Sequence, residues 1–114
     1  MAAPWPFRGN KGDNYTKINA STVETPIVLG YTEKFANLTQ LVLGNSSATA
    51  CLVTIREAVG GAIRLVAKVS ANATVVIGNG EDAFLEDHAM GQPWTATCES
   101  VDSIHITASF KYDN

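Results

Sequence analysis

The sequence has little charge and few of the residues that usually carry catalysis or bind metals. Charged residues make up 17% of the 114 residues, and there are two cysteines and two histidines. Soluble domains average about 25% charged residues. No Gly-x-Ser-x-Gly elbow and no His-Glu-x-x-His pair occurs, and His88 and His105 share no motif. We therefore predict that the protein is not an enzyme and uses no cofactor.

Long apolar runs are also missing. No run approaches the roughly 20 residues of a membrane-spanning helix, and residues 1–12 lack the apolar stretch of a secretory signal. These absences predict a protein made in a reducing cytoplasm, with no membrane partner. Cys51 and Cys98 have no Cys-x-x-Cys spacing, so zinc is not expected. We expect two buried thiols, while a disulfide stays open if their strands face each other across the core.

The few charges are unevenly distributed. Residues 1–22 carry Arg8, Lys11 and Lys17 against Asp13, a net charge of +2, whereas residues 23–114 carry five basic and ten acidic side chains. Nucleic-acid binding usually needs a basic stripe on one face, which an acidic body with a short basic segment does not provide. We therefore predict a protein partner with an acidic surface, and no nucleic acid.

From residue 25 onward the chain is a series of short β-rich runs separated by turn residues such as Gly60-Gly61 and Gly78-Asn79-Gly80. Such spacing is typical of a β-sandwich or barrel, and only Glu81–Ala89 could form a helical turn. The sequence thus predicts an all-β fold, a small β-sandwich of jelly-roll type. The predicted strands are Pro26–Gly30, Asn37–Gly44, Thr49–Ala58, Ala62–Ser70, Ala73–Asn79, Trp94–Glu99 and Ser103–Tyr112.

Alternation of period two assigns an inner and an outer face to these strands. Predicted inward residues are Cys51, Val53 and Ile55, then Ile63, Leu65, Ala67 and Val69, then Ile104, Ile106, Ala108 and Phe110. On the outer faces we expect His105, the isolated aliphatics Val66 and Val76, and short neutral rows of Thr95, Thr97, Thr107 and Ser109. Such rows suit contact between subunits as well as contact with water.

The first 22 residues are predicted to form an extended N-terminal arm, with the sandwich domain over residues 23–114. Prolines and glycines interrupt any helix or long strand there. Large aromatic side chains in a segment without its own core pack on another surface, either the body of the same subunit or a neighbouring molecule. The candidate partner-binding residues are Trp5, Phe7, Arg8 and Tyr15.

Residues 81–88 form the one tempting metal-binding segment, with four carboxylates and His88 within eight residues. A hard cation binds carboxylate oxygens, but the spacing matches no calcium loop. Phe84 and Leu85 in the middle indicate instead an acidic connection that two apolar side chains pin to the core. We predict no metal site.

Residues 39–111 have a recognisable layout: a strand TQLVLGNSSATACLVTIRE, a strand AIRLVAKVSANATVVIGN, an acidic-apolar segment, and a closing VDSIHITASFKY. This layout resembles small structural proteins of tailed bacteriophages. The matching positions are Leu65-Val66, Ala71, Val76-Ile77-Gly78, Leu85-Glu86 and Val101-Asp102-Ser103-Ile104. The sequence departs from that pattern at Asp87–Gln92, where extra residues precede Trp94.

The resemblance implies a virion component that is made in the bacterial host cytoplasm and has no active-site residues. Our leading hypothesis is a capsid decoration or cement protein that stabilises the head by binding the major capsid protein, as a homo-oligomer and first of all a trimer. The alternative is a tail, neck or head-fibre component, or a module that binds host glycans. Trp94, Tyr112 and the acidic segment are its only candidate sugar-binding groups, and Trp94 more often packs in a core.

Overall fold

A computed structural model describes residues 13–20, 22–28, 34–89, 91–99 and 103–113. These residues contain eight strands and no helix. No helix long and apolar enough to cross a membrane therefore occurs in this part of the chain. The strands are β1 (Asp13–Ala20), β2 (Thr25–Val28), β3 (Phe35–Asn45), β4 (Cys51–Arg56), β5 (Ile63–Val69), β6 (Thr74–Ile77), β7 (Trp94–Cys98) and β8 (Ile104–Asp113).

The strands form two antiparallel four-stranded sheets. Sheet A has the order β1-β8-β3-β6, and sheet B has the order β2-β7-β4-β5. Successive strands pass between the two sheets, except for the hairpin from β4 to β5. Two four-stranded sheets with this crossing order form a jelly roll. The predicted all-β sandwich of jelly-roll type is confirmed, and each of the seven predicted strands corresponds to one of β2–β8.

The core lies between the sheets and follows the predicted alternation in β4 and β8. Cys51, Val53 and Ile55 are buried, as are the four predicted inward residues of β8. Burial of each such aliphatic side chain contributes roughly 1.5–3 kcal/mol. The two sheets therefore hold each other through their inner faces.

The predicted inner face of β5 is wrong at Ile63, which is 53% exposed. The register between β4 and β5 shifts beyond Ile55, so that Arg56 pairs with Ile63 and Arg64 is the extra residue of a bulge. A bulge exchanges the faces of the residues beyond it. Ile63 therefore faces outward with Arg56, and Arg64 approaches Glu57 and Trp94.

The predicted arm overlaps the sandwich. Asp13–Ala20 pair with Lys111–Ile104 of β8 over eight consecutive positions, so this segment is an edge strand of sheet A. The turn-forming residues of the segment predicted an arm outside the sheets. The long strand β8 offers a row of backbone donors and acceptors at its edge, and pairing with it overrides the local propensity. Trp5, Phe7 and Arg8 lie outside the described residues, and Tyr15 lies within β1.

Candidate interaction surface

Residues 84–89 form the connection that closes one end of the sandwich, with no helical turn. Leu85 makes an isolated bridge with Leu38 of β3. The backbone N–H of Leu38 donates to the Leu85 carbonyl over 2.9 Å, and the N–H of Phe84 donates to the Leu38 carbonyl over 2.9 Å. Both Phe84 and Leu85 pack against the core. The prediction of an acidic connection pinned by these two side chains is confirmed.

A buried carboxylate, Glu57, attaches this connection to sheet B. Its Oε1 accepts a bond from Arg64 Nη1 over 2.8 Å, and its Oε2 accepts the backbone N–H of His88. Arg64 Nη1 also donates to the Glu86 carbonyl over 3.0 Å. The guanidinium lies over the Trp94 ring, 5.5 Å from its centroid, where a cation–π attraction adds to the ion pair. The Arg64 side chain of β5 thus contacts Glu57 just beyond β4, Trp94 of β7 and the connection.

A second buried carboxylate, Asp87, attaches the same connection to sheet A. Its Oδ2 accepts the backbone N–H of Ala36 over 2.9 Å, and its Oδ1 accepts the N–H of Ala89 over 2.9 Å. In return, the Asp87 N–H donates to Asn37 Oδ1 over 2.8 Å. The carboxylates at positions 57 and 87 therefore bind backbone donors, and within the described residues no group of three or more metal-ligating side chains occurs.

Two carboxyl groups have lowered pKa values, for related reasons. Burial acts to raise the pKa of Glu57, but the backbone N–H of His88 and the Arg64 guanidinium outweigh it and lower this pKa below its usual range. At the same end of sheet B, hydrogen bonds from the Thr95 hydroxyl and the Gly60 N–H lower the pKa of Glu24. Both carboxylates accept hydrogen bonds that favour the charged form.

Exposed aliphatic side chains concentrate on the side of sheet B. We call this group the apolar patch; its members are Val23, Leu52, Val59, Ile63 and Val66. Leu52 and Val66 lie on the outer face, Ile63 joins them through the bulge, and Val59 lies in the turn between β4 and β5. Val23 belongs to the same corner because its neighbour Glu24 accepts the Gly60 N–H over 3.0 Å. Among the described residues, one other large aliphatic is exposed, Val76 on sheet A.

The outer face of sheet B also has an ordered charge pattern. Leu52 lies opposite Lys68 on one side. On the other side it faces Glu99, whose N–H donates to the Leu52 carbonyl over 3.3 Å and whose Oε1 accepts the Leu52 N–H over 2.8 Å. The next row holds Thr97, Thr54 and Val66. Across β5, β4 and the end of β7, the exposed cation Lys68, the aliphatic Leu52 and the exposed anion Glu99 thus lie side by side in one row.

The structure separates the residues that the sequence offered for chemistry. The exposed His88 side chain has its Nδ1 3.9 Å from Glu57 Oε2. His105 is also exposed, near the start of β8, and its Nε2 is 3.4 Å from Ser46 Oγ. Trp94 is fully buried, as predicted for a core residue. Its indole N–H donates to the Ala36 carbonyl. Tyr112 is half-buried and lies edge-on to Phe110, with ring centroids 5.2 Å apart.

Cys51 and Cys98 are both buried as thiols, as expected. They lie on neighbouring strands, but Cys98 is opposite Val53, two residues from Cys51. Such diagonal positions have Cα atoms roughly 7–8 Å apart, which exceeds the span of an unstrained disulfide. The register therefore explains why the two sulfur atoms remain apart.

Sequence reasoning identified Val66 as an outward residue but did not find the apolar patch as a unit. Ile63 was missed because a bulge cannot be read from alternation. Val23 and Val59 were missed because loops have no period. The only sequence signal was the Gly60-Gly61 turn, which places Val59 at an exposed tip.

No family model, no curated protein and no solved structure matches this chain.

Proposed function

We propose that this chain is a structural protein of a bacteriophage virion, most specifically a capsid decoration or cement protein that stabilises the head by binding the major capsid protein. The apolar patch is the observation that carries the proposal. A structural protein of an assembly needs a rigid body with an apolar surface whose burial against a partner stabilises the complex. An exposed group of five aliphatic side chains on one side of a closed sandwich suits that role.

Rigidity comes from the carboxylate anchors at the end of the sandwich. Glu57 and Asp87 attach the connection of residues 84–89 to sheets B and A, respectively. Docking of a preformed surface avoids most of the ordering cost that a flexible surface would incur. Each patch residue is about half-exposed, so its burial contributes roughly 1 kcal/mol, about half the value for a complete aliphatic side chain.

The N-terminal segment supplies the second proposed contact, with Trp5, Phe7, Arg8 and Tyr15 as partner-binding residues. Burial of the aromatic side chains on a capsid surface would favour docking, and Arg8 favours an acidic partner. The predicted homo-oligomer, and the trimer in particular, stay predictions.

The decisive experiment is the copy number of the protein in purified virions of the phage that encodes it, measured by quantitative mass spectrometry against the major capsid protein. Hundreds of copies per virion support the decoration role. A few to a few dozen copies support the alternative role in tail, neck or head fibres. Absence from the virion refutes both.

A binding experiment then separates the two proposed contacts. Purified protein is added to capsids that lack it, and the bound fraction is measured by sedimentation. The variants are a deletion of residues 1–12, which leaves β1 intact, and Val59→Asp, with Val76→Asp on sheet A as the control. We expect the deletion and Val59→Asp to abolish binding and Val76→Asp to retain it. Equal binding by all of them would contradict the assignment of both contacts.

The glycan-binding alternative receives little support from the aromatic residues. Trp94 is fully buried and offers no ring face to a sugar, and Tyr112 is partly buried against the core and contacts Phe110. A glycan array probed with the folded protein tests this alternative, and a reproducible hit would revive it.

A further inference from the structure

From the outer face of sheet B we infer that two copies of this chain associate through a two-fold contact, with Leu52 at its centre and Lys68 of each copy against Glu99 of the other. This inference does not rest on the proposed function, and it replaces the predicted trimer by a dimer. It uses Leu52 and Val66 of the apolar patch and leaves Val23 and Val59, outside the strands, exposed for the capsid. It follows from the row in which Lys68, Leu52 and Glu99 lie side by side. Both charged side chains are exposed, and Leu52 is 39% exposed between them.

The order of charges in that row is self-complementary. Neighbouring strands are roughly 4.8 Å apart, so the Lys68 and Glu99 positions are separated by about 10 Å, with Leu52 midway. Rotation by 180° about an axis that runs along β4 exchanges the two ends of the row. Each lysine of one copy then faces the glutamate of its partner, and the two Leu52 side chains meet on the axis. Such an isologous contact uses the same surface twice.

The other in-plane axis is excluded by the same charges. An axis along the row, perpendicular to β4, would bring the Lys68 side chains of the two copies together, and likewise the two Glu99 side chains. Like charges in contact are unfavourable. The charge pattern therefore selects the axis along β4.

The second row suits the contact as well. Val66 of one copy meets Thr97 of the other, and Thr54 meets its own copy, because these residues occupy the same three columns. Val66 is 54% exposed without a partner, and the contact covers it. Arg56 of β4 lies four residues from Leu52, roughly 13 Å along the strand. It donates to the Gly61 carbonyl over 3.2 Å and stays at the rim.

The test is the mass of the full chain by sedimentation equilibrium over a range of concentrations, for the wild type and for charge-reversed variants. The wild type is expected to dimerise, more weakly at high salt because the rim charges are screened. Lys68→Glu alone and Glu99→Lys alone convert both ion pairs into like-charge contacts. Each is expected to weaken the dimer roughly tenfold or more, on the order of two exposed ion pairs.

Mixing the variants gives the sharpest outcome. In a mixture of Lys68→Glu and Glu99→Lys chains, both cross-contacts regain opposite charges, so a mixed dimer is expected that is tighter than the dimer of either variant alone. The double variant Lys68→Glu/Glu99→Lys restores both opposite-charge contacts, although lysine at position 99 cannot accept the Leu52 N–H. It is expected to dimerise more tightly than either single variant. About the excluded axis, the wild type, both single variants and the double variant would all place like charges together, and only the mixture would gain opposite charges. Single variants that dimerise as well as the wild type, with a tighter dimer only in the mixture, would therefore indicate the excluded axis and overturn the inference.

Apolar variants provide a matched pair. Val66→Ser should weaken the dimer, and Val76→Ser should not, since Val76 is similarly exposed, at 58%, but lies on sheet A. Circular dichroism confirms that each variant is folded. A monomer at every concentration, a trimer, or a dimer indifferent to Lys68 and Glu99 would each overturn the inference, and would leave the face to residues 1–12 or to another protein.

Discussion

Replacement of Glu57 by glutamine tests whether the buried carboxylate anchors the connection of residues 84–89. Glu57 accepts bonds from Arg64 and from the His88 N–H, and glutamine keeps only one acceptor oxygen for these two donors. Loss of a hydrogen bond to a charged group costs about 1.5–3 kcal/mol. Arg64 is about one-fifth exposed, so water partly replaces the carboxylate. We therefore expect the lower half of that range.

The assay is urea unfolding at pH 7, supported by the thermal midpoint. A loss of about 2 kcal/mol lowers the midpoint by roughly 6–10 °C in a chain of this size. Glu86→Gln is the matched control, because its exposed side chain neighbours the same cluster while only its backbone carbonyl binds Arg64. Equal midpoints for the wild type and Glu57→Gln would refute the anchoring role. Equal losses in both variants would refute its assignment to the Glu57 carboxylate.

The pH dependence of the same variant provides a second readout. The pKa of Glu57 is lowered in the folded protein, so the unfolded state binds its proton more readily. The stabilisation from this group is therefore complete above the unfolded pKa, near 4.5, and is lost as pH falls through the lower folded pKa. Between about pH 5 and pH 3, the gap in stability between wild type and Glu57→Gln should narrow. A gap that widens over this range would contradict the sign of the pKa shift.

Two further substitutions test packing. Gly78→Ala should destabilise the protein by several kcal/mol more than Gly80→Ala. Both glycines have positive φ, so the backbone strain of an alanine is similar at the two positions. A Cβ at Gly78 would lie 2.3 Å from the Thr39 carbonyl oxygen, whereas at Gly80 the nearest atom would be 3.9 Å away. Equal losses in urea unfolding would show that φ alone decides. Trp94→Phe removes the N–H that donates to the Ala36 carbonyl. The free energy of unfolding should fall by about 2–4 kcal/mol, because the carbonyl loses its donor and the ring loses volume. A thermal midpoint within a degree of the wild type would contradict a stabilising role for this bond.

The sequence by itself determined the strands β2–β8 and most of the core. Alternation of period two in β4 and β8 reports which side chains face inward, since successive residues of a strand point to opposite faces. Glycine and asparagine at the turns report where strands end. Both signals are local, so they can be read without knowing which strand lies beside which. For the same reason Trp94 and the pair Phe84 and Leu85 were correctly placed in or against the core.

The tertiary structure alone decided the features that depend on register and on neighbours. Asp13–Ala20 became β1 because the edge of β8 was available to pair with it. Ile63 turned outward and Arg64 reached Glu57 because of one bulge. Asp87 of the acidic segment accepts the Ala36 N–H of sheet A, and Glu57 accepts the His88 N–H, because the connection lies across the end of the sandwich. The row of Lys68, Leu52 and Glu99 joins residues from three segments of the chain, and no local pattern can record which residues a sheet places side by side.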